Sequence, residues 1–306
     1  MAAEPLVCRL CGAERPESIG ALPDGDFFAG RVLAQPLAGG GLWRCRKCES
    51  MFRHPVLEAD GYRRLYECGA AEQWHGSDSR CDLQLIRDLI AARPKVQSVL
   101  DVGCGTGAFV ASLPGGVAKF GIEPAVDAAR LAASRGVVIA SGSLEELPPG
   151  QCFDVITFID VIEHVPEPTA LLQLAARHLN PDGVIVVASA DPQSAAWRWF
   201  GARFWYSTYP EHVSFPSLRF FEPWVVQRNR IRYERLPVSK WLFRAVVQLG
   251  YWLSPTLFHR AGRMFMAEGS GRRFFSPSAP GVFVDHQVVV LSGAALEQEV
   301  GLNGAR

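Results

Sequence analysis

The run Val99-Leu100-Asp101-Val102-Gly103-Cys104-Gly105-Thr106-Gly107-Ala108-Phe109 ends an apolar strand on an acid, follows it with three alternating glycines and then opens a helical pattern from about Ala108 to Leu113. Glycine accepts dihedrals and a close backbone approach that a Cβ would block. In this order, strand, turn and helix let a nucleotide-like ligand rest on bare backbone at the carboxyl end of a parallel sheet. A second acid, Glu123, closes the next apolar run. Two further runs set acids beside histidine. Asp160-Val161-Ile162-Glu163-His164-Val165 carries acid, acid and imidazole at i, i+3 and i+4, one side of a helical turn. In Tyr209-Pro210-Glu211-His212-Val213-Ser214-Phe215 an imidazole beside a carboxylate is placed to take a proton near neutral pH. Finally, Cys8-x-x-Cys11 and Cys45-x-x-Cys48 form two knuckles with two thiolates each. Two knuckles make a closed tetrahedral four-thiolate site, which suits a structural zinc because no position stays open for water. Such an ion would hold together a segment too small and glycine-rich to build its own core.

Three regions position these groups. Residues 1–55 are rich in Gly and Pro and hold the cysteine pairs, which reads as a zinc-ribbon-like module. Residues 56–85 read as a helical connector with Tyr62, Tyr66 and Trp74. From 86 to about 295 strands and helices alternate, which argues for an α/β fold with a parallel sheet and helices on both faces. Strands are predicted at Ser98–Val102, Val117–Ile122, Val137–Ala140, Phe153–Asp160 and Val184–Ser189, with Tyr233–Val238 and Val282–Leu291 as the sixth and seventh. Pro168–Leu179 reads as a helix, closed by the turn Asn180-Pro181-Asp182-Gly183. An insertion at about 239–281 separates the last two strands. Cys68, Cys81, Cys104 and Cys152 have no sequence partner and are expected to be inert as thiols.

Bulk properties narrow the function. Lys plus Arg and Asp plus Glu are both 31, so the chain has no basic excess and is a poor general nucleic-acid binder. The charge is uneven, however: eleven Lys or Arg against Glu222, Glu234 and Glu268 between Arg219 and Arg273. Eight cysteines over 306 residues do not make a disulfide scaffold. Glu4 and Pro5 with no apolar core argue against a signal peptide, and no run of about twenty uncharged apolar residues suits a spanning helix. A cytoplasmic setting is expected.

The string Asp101 to Gly107 with Glu123 closely resembles motif I of the class I S-adenosylmethionine (SAM) methyltransferases. That resemblance implies a seven-stranded Rossmann-like sheet, five parallel strands with a final antiparallel hairpin. It also implies a SAM site. Glu123 would hold the ribose diol, Asp101 would order the loop or touch the methionine portion, and Gly103, Cys104, Gly105 and Gly107 would line it. Ser143 stands where the family often has an Asp that reads adenine, so Ser143 Oγ or the Leu144 backbone takes that place. Asp160 lies at the cleft edge. Glu145 and Glu146 read as ordinary first-turn helix charges. The Asp160–Val165 string is similar to that of ubiquinone-type O-methyltransferases, in some of which the acids and His bind a divalent ion; the other reading is a brace beneath SAM. The Tyr209–His212 string resembles the Tyr-x-Glu-His segment of deoxysugar C-methyltransferases. That likeness implies His212 as base, Glu211 as its partner and Tyr209 as proton shuttle or substrate contact. It does not separate C- from O-methylation. Those enzymes also share the layout of an N-terminal zinc module before a class I core, but they carry a further C-terminal domain for which fewer than a hundred residues remain here.

The expected activity is therefore methyl transfer to a small molecule, a nucleotide sugar or a glycan or lipid-linked precursor. Two rivals are an RNA methyltransferase gripping RNA through the zinc module, and a non-catalytic SAM-binding protein. Six basic and six acidic residues in the first fifty argue against RNA grip. Within the insertion, Trp241–Leu253 is helical in period, aromatic and flanked by Arg. A helix of this kind at about 241–260 suits peripheral membrane contact; the alternatives are a lid or dimerisation helix packed on the core.

Overall fold

The computed structural model describes residues 6–67, 80–234, 238–253 and 281–296. Cys68, Trp74 and residues 254–280 of the insertion lie outside the described residues. The N-terminal segment forms β1 (Glu17–Ala21), β2 (Gly25–Phe28), β3 (Arg31–Leu37), β4 (Gly41–Arg44) and β5 (Met51–His54). The connector gives α1 (Ala59–Glu67) and α2 (Cys81–Ala91). Next come β6 (Ser98–Val102), α3 (Ala108–Ala111), β7 (Ala118–Ile122), α4 (Val126–Ser134), β8 (Val138–Ser141) and β9 (Phe153–Ile159). The chain continues through α5 (Pro168–Ala176), β10 (Leu179–Ala190), α6 (Ala195–Phe200), β11 (Ser214–Phe215) and α7 (Leu218–Phe221). It then forms β12 (Val225–Ile231), α8 (Val238–Leu253) and β13 (His286–Ser292).

A seven-stranded sheet runs in the order β12-β13-β10-β9-β6-β7-β8. The five strands from β10 to β8 are parallel, and β13 is antiparallel to both β10 and β12. The expected α/β sheet with its closing hairpin is thus the observed architecture. Strand β6 has β7 on one side and β9 on the other, so the winding reverses there. The carboxyl ends of β6 and β9 at this reversal are the place where such sheets bind ligands. Burial on both faces explains the apolar strands. Ile86 and Ile90 of α2 pack on one face, and Leu172, Ala175 and Ala176 of α5 on the other.

Local sequence and structure part in three places. The sixth strand is β12, whose Arg228 and Arg230 both reach the buried Asp191, at 3.1 Å and 2.7 Å. Of the expected Tyr233–Val238, Tyr233 and Glu234 lie beyond that strand, Val238 opens α8, and residues 235–237 lie outside the described residues. This edge strand is half-buried to exposed along its length and is fastened by an ion pair rather than by apolar alternation, so hydropathy misses it. Helix α5 ends at Ala176, and β10 begins at Leu179. The predicted turn Asn180–Gly183 becomes an irregularity inside β10, with Asp182 at φ 66° and a register shift between Leu179 and Val184.

The N-terminal segment is tied to the rest by hydrogen bonds. Its sheet runs β1-β4-β5-β11, so β11 completes it from the far end of the chain. Ser217 Oγ donates to the Cys48 carbonyl, and Ser217 N–H donates to Ser50 Oγ at 3.0 Å. The second cysteine knuckle is thereby fastened to the segment that follows His212.

Candidate active site

Gly103, Gly105 and Gly107 all take left-handed backbone, with φ of 69°, 53° and 72°. Gly103 has no room for a side chain: a Cβ there would lie 2.7 Å from Val161 Cγ2. The same contact lays the segment after β9 against the glycine loop. The loop is closed by Gly103 N–H and Cys104 N–H donating to the Ile122 carbonyl at 2.8 Å and 3.0 Å. Glu123 completes it: Gly105 N–H donates to Oε2 and Ala125 N–H to Oε1, both at 2.8 Å. Each oxygen retains acceptor capacity for a hydroxyl. Cys104 is buried, and burial pushes its thiol above the ordinary range, as expected of an inert cysteine.

Asp101 accepts from Thr157 Oγ1 at 2.6 Å. Burial pushes it up to about 7; the Thr157 hydroxyl opposes this and the Glu123 charge adds to it. Burial also raises Glu123, against the two backbone N–H groups. Two neighbouring buried carboxyls that resist ionisation make a pocket for a cation, because a positive ligand restores their charged forms. SAM carries a sulfonium and an ammonium, and the donor set fits it. After β8, Leu144 is buried, Ser141 Oγ donates to the Ser143 carbonyl at 2.6 Å, and Glu146 accepts from Gly142 N–H at 3.0 Å. Glu145 and Glu146 sit in a single 3₁₀ turn, Leu144–Glu146.

Asp160 has left-handed backbone, φ 52°, and pairs with Arg80, which also pairs with Asp82. Burial opposes ionisation of Asp160, but the Arg80 guanidinium holds its carboxyl below the usual range. The guanidinium lies 4.5 Å from the centroid of the Tyr233 ring.

The two acid–histidine strings form one cluster. Ligand atoms of Glu163, His164 and His212 lie within 4.8 Å of one another, and the two imidazole rings are 4.8 Å apart. Three contacts build it. Val213 N–H donates to the Glu163 carbonyl at 2.7 Å, Ser214 Oγ donates to the Val165 carbonyl at 2.7 Å, and Tyr206 OH donates to Glu163 Oε1. His212 Nδ1 lies 2.6 Å from the Tyr206 carbonyl. A carbonyl only accepts, so Nδ1 carries the proton and Nε2 is the basic atom of the neutral ring. His164 Nδ1 shares a 2.7 Å hydrogen bond with Tyr66 OH. Burial lowers His164 to about 4, so it is neutral; burial and the Asp160 charge push Glu163 up to about 8. Glu211 is buried next to His212, and the Tyr209 ring lies 5.3 Å from the His212 ring.

Several residues escaped the sequence reading. Arg80, Thr157, Tyr66 and Tyr206 hold site groups across long sequence gaps, which no local pattern signals. Asp285 and His286 form a buried pair, Oδ1 to Nδ1 at 2.9 Å, opposite Ala190 at the carboxyl end of β10. An acid and a histidine side by side at the head of the apolar run of β13 are a signal that could have found it. At the cysteine cluster, Cys8 Sγ and Cys48 Sγ are 3.8 Å apart, and Cys11 Sγ and Cys45 Sγ 3.6 Å. A tetrahedral zinc with bonds of about 2.3 Å sets its sulfurs about 3.8 Å apart, so the four thiols fit that ion.

A family model described as a methyltransferase domain matches residues 74–229, slightly over half of the 306 residues. The ubiquinone biosynthesis O-methyltransferase of Sodalis glossinidius is 33% identical over 111 residues, 33% of this chain and 44% of that protein. The enzyme of the same name from Neisseria meningitidis serogroup A is 37% identical over 99 residues, 28% of this chain and 41% of that protein. The chain spans about half the length of the curated relatives it matches. Among solved structures, a possible histamine N-methyltransferase from Thermotoga maritima aligns with a TM-score of 0.42 at 19% identity, covering 69% of this chain and 87% of that one. The amino pentose methyltransferase CalS10 from Micromonospora echinaspora aligns with a TM-score of 0.33 at 26% identity, covering 45% of this chain and 65% of that one.

Proposed function

The chain belongs to the methyltransferase-domain family, and from that premise we propose that it transfers a methyl group from SAM to a small-molecule acceptor, a nucleotide sugar or a lipid-linked glycan precursor. The observation that carries this reading is the junction of two sites through Gly103 and Val161. A glycine loop closed by Glu123 lies against the turn that bears Glu163 and His164, and His212 packs on that turn.

SAM supplies an electrophilic methyl on a sulfonium. Glu123 holds the ribose diol, Asp101 faces the cationic methionine portion, the Gly103–Gly107 backbone lines the loop, and Ser143 with Leu144 borders adenine. Asp160, held by Arg80, forms the cleft edge. His212 Nε2 takes the proton from the acceptor as the new bond forms; the Tyr206 carbonyl fixes the tautomer that makes Nε2 basic. Glu211 lies beside this imidazole, and Tyr209 contacts the acceptor or relays its proton. Alignment of acceptor and methyl is the main requirement of this displacement. Cys8, Cys11, Cys45 and Cys48 hold a structural zinc that keeps the β4–β5–β11 sheet, and with it the His212 loop, in place.

One observation favours a second reading of the cluster. Glu163 Oε2 is buried with no hydrogen-bond partner among the described residues, and both neighbouring imidazoles are oriented through Nδ1, the arrangement that metal ligands favour. In that reading Glu163, His164 and His212 hold a divalent cation that lowers the pKa of a bound acceptor hydroxyl, and His212 is a ligand rather than the base.

Native mass spectrometry and transfer from methyl-labelled SAM into nucleotide-sugar and lipid-extract pools test the proposal. Bound SAM, one zinc and label in either pool support it. A protein that binds no SAM overturns it; SAM binding with no label in any pool favours a non-catalytic SAM-binding protein.

A further inference from the structure

Among its described side chains, helix α8 exposes its large apolar residues. Val238, Trp241, Leu242, Phe243, Val246 and Leu249 are exposed, from 38% at Trp241 to 74% at Val238. Its buried charged residue is Arg244, 6% exposed and 3.5 Å from Glu234. At about 100° per residue, Val238, Trp241, Leu242, Val246 and Leu249 share one broad face, and Arg244 points away from it. Within this chain α8 does not turn this apolar face onto the described core: the face looks outward.

We propose that α8 is a membrane-docking element that lies in the headgroup region of an anionic bilayer. Three observations select this occupant. Sixteen residues rise about 24 Å, short of the roughly 30 Å a spanning helix must cross, so the helix lies on a bilayer rather than through it. Among the described residues no helix is long and apolar enough to cross a membrane. The flanks are basic: Arg232 and Lys240 are exposed, and the sequence after the helix carries Arg260, Arg263, Arg272 and Arg273 against Glu268 alone. An apolar face with basic flanks matches an anionic lipid surface, whereas a two-fold pairing of this face would set basic flank against basic flank. The root of α8 is joined to the site. Arg244 pairs with Glu234, whose backbone bridges Arg80, and Arg80 holds Asp160. Docking would therefore hold the cleft beside the lipid. The proposal stands whether or not the acceptor is a lipid.

The test is co-sedimentation of the full-length protein with vesicles of phosphatidylcholine alone and of phosphatidylcholine with phosphatidylglycerol. The expected result is binding to the anionic vesicles, several-fold weaker at about 1 M than at about 0.1 M salt. Replacing Leu242, Val246 and Leu249 together by Glu should abolish it while circular dichroism stays unchanged, because these side chains lie at the surface. No sedimentation with anionic vesicles overturns the proposal, as does equal binding to neutral ones. A wild-type dimer in light scattering that the triple variant converts to a monomer would give the face to a second copy instead.

Discussion

Arg53, on β5 of the cysteine-bearing sheet, donates Nε–H to the carbonyl oxygen of His212 at 3.2 Å. Its Nη2 reaches the carbonyls of Ser207 and Tyr209, both at 2.9 Å, and its Nη1 that of Gly39. One fully buried guanidinium thus organises the backbone of the proposed base loop, with no carboxylate among these partners. Arg53→Leu leaves these carbonyls buried without a donor. The expected loss is about 3 kcal/mol or more of stability, read by denaturant unfolding. Arg53→Lys should recover part of the stability but little turnover, since an ammonium cannot match the fork. Turnover equal to wild type in Arg53→Lys would show that the loop does not depend on this fork.

The cysteine cluster is expected to be coupled to turnover through the same sheet. Cys45→Ser should lower bound zinc from one per chain, measured by plasma mass spectrometry, and lower the melting temperature. SAM affinity should change little, because the glycine loop and Glu123 lie on the large sheet, while methyl transfer should fall with the loss of order at β5 and β11. Unchanged metal content would reject the four-thiolate site.

His212→Ala should bind SAM as wild type does and lose roughly 100- to 10,000-fold in turnover, the range for a general base. Treatment with EDTA separates the two readings of the cluster. If His212 is the base, activity survives a chelator that leaves the zinc in place. If Glu163, His164 and His212 hold a divalent cation, activity disappears and returns on adding Mg²⁺ or Mn²⁺.

In the proposed SAM site, Asp101 is expected to give SAM binding a pH dependence. Its carboxyl sits near 7 before the ligand arrives, and a cation favours the ionised form. Binding therefore releases a proton, and affinity should rise about tenfold between pH 6 and pH 8, then level off. Calorimetry in buffers of different ionisation enthalpy reads the proton directly, and Asp101→Asn should flatten the profile. A proton uptake instead would contradict the role. Without ligand the sign runs the other way for stability. The carboxyls of Asp101 and Glu163 are raised by folding, to about 7 and about 8. Their contribution is full below the ordinary carboxylate range and is lost as pH rises through those values, so the ligand-free fold should melt lower at pH 8 than at pH 5.

The chemistry legible in the sequence was chemistry that depends on neighbours in the chain. A glycine loop needs its glycines at fixed offsets because the backbone itself adopts left-handed dihedrals there, and a cysteine knuckle needs two thiols two residues apart. The buried parallel strands wrote themselves as apolar runs for the same local reason. What only the tertiary structure decided are relationships set by packing. Arg53 meets His212 from 159 residues away, Arg80 holds Asp160, and Asp285 with His286 lies at the end of β10. The polar edge strand β12 is fastened by Arg228 and Arg230 to the buried Asp191 rather than by hydropathy. Two histidine strings far apart in the chain are one cluster because β11 pairs with β5 and Val213 bonds Glu163. The sequence of α8 announced an amphipathic helix, but periodicity alone does not say which face turns inward. Only the fold showed that Arg244 is buried and that Trp241, Leu242, Val246 and Leu249 are left outside.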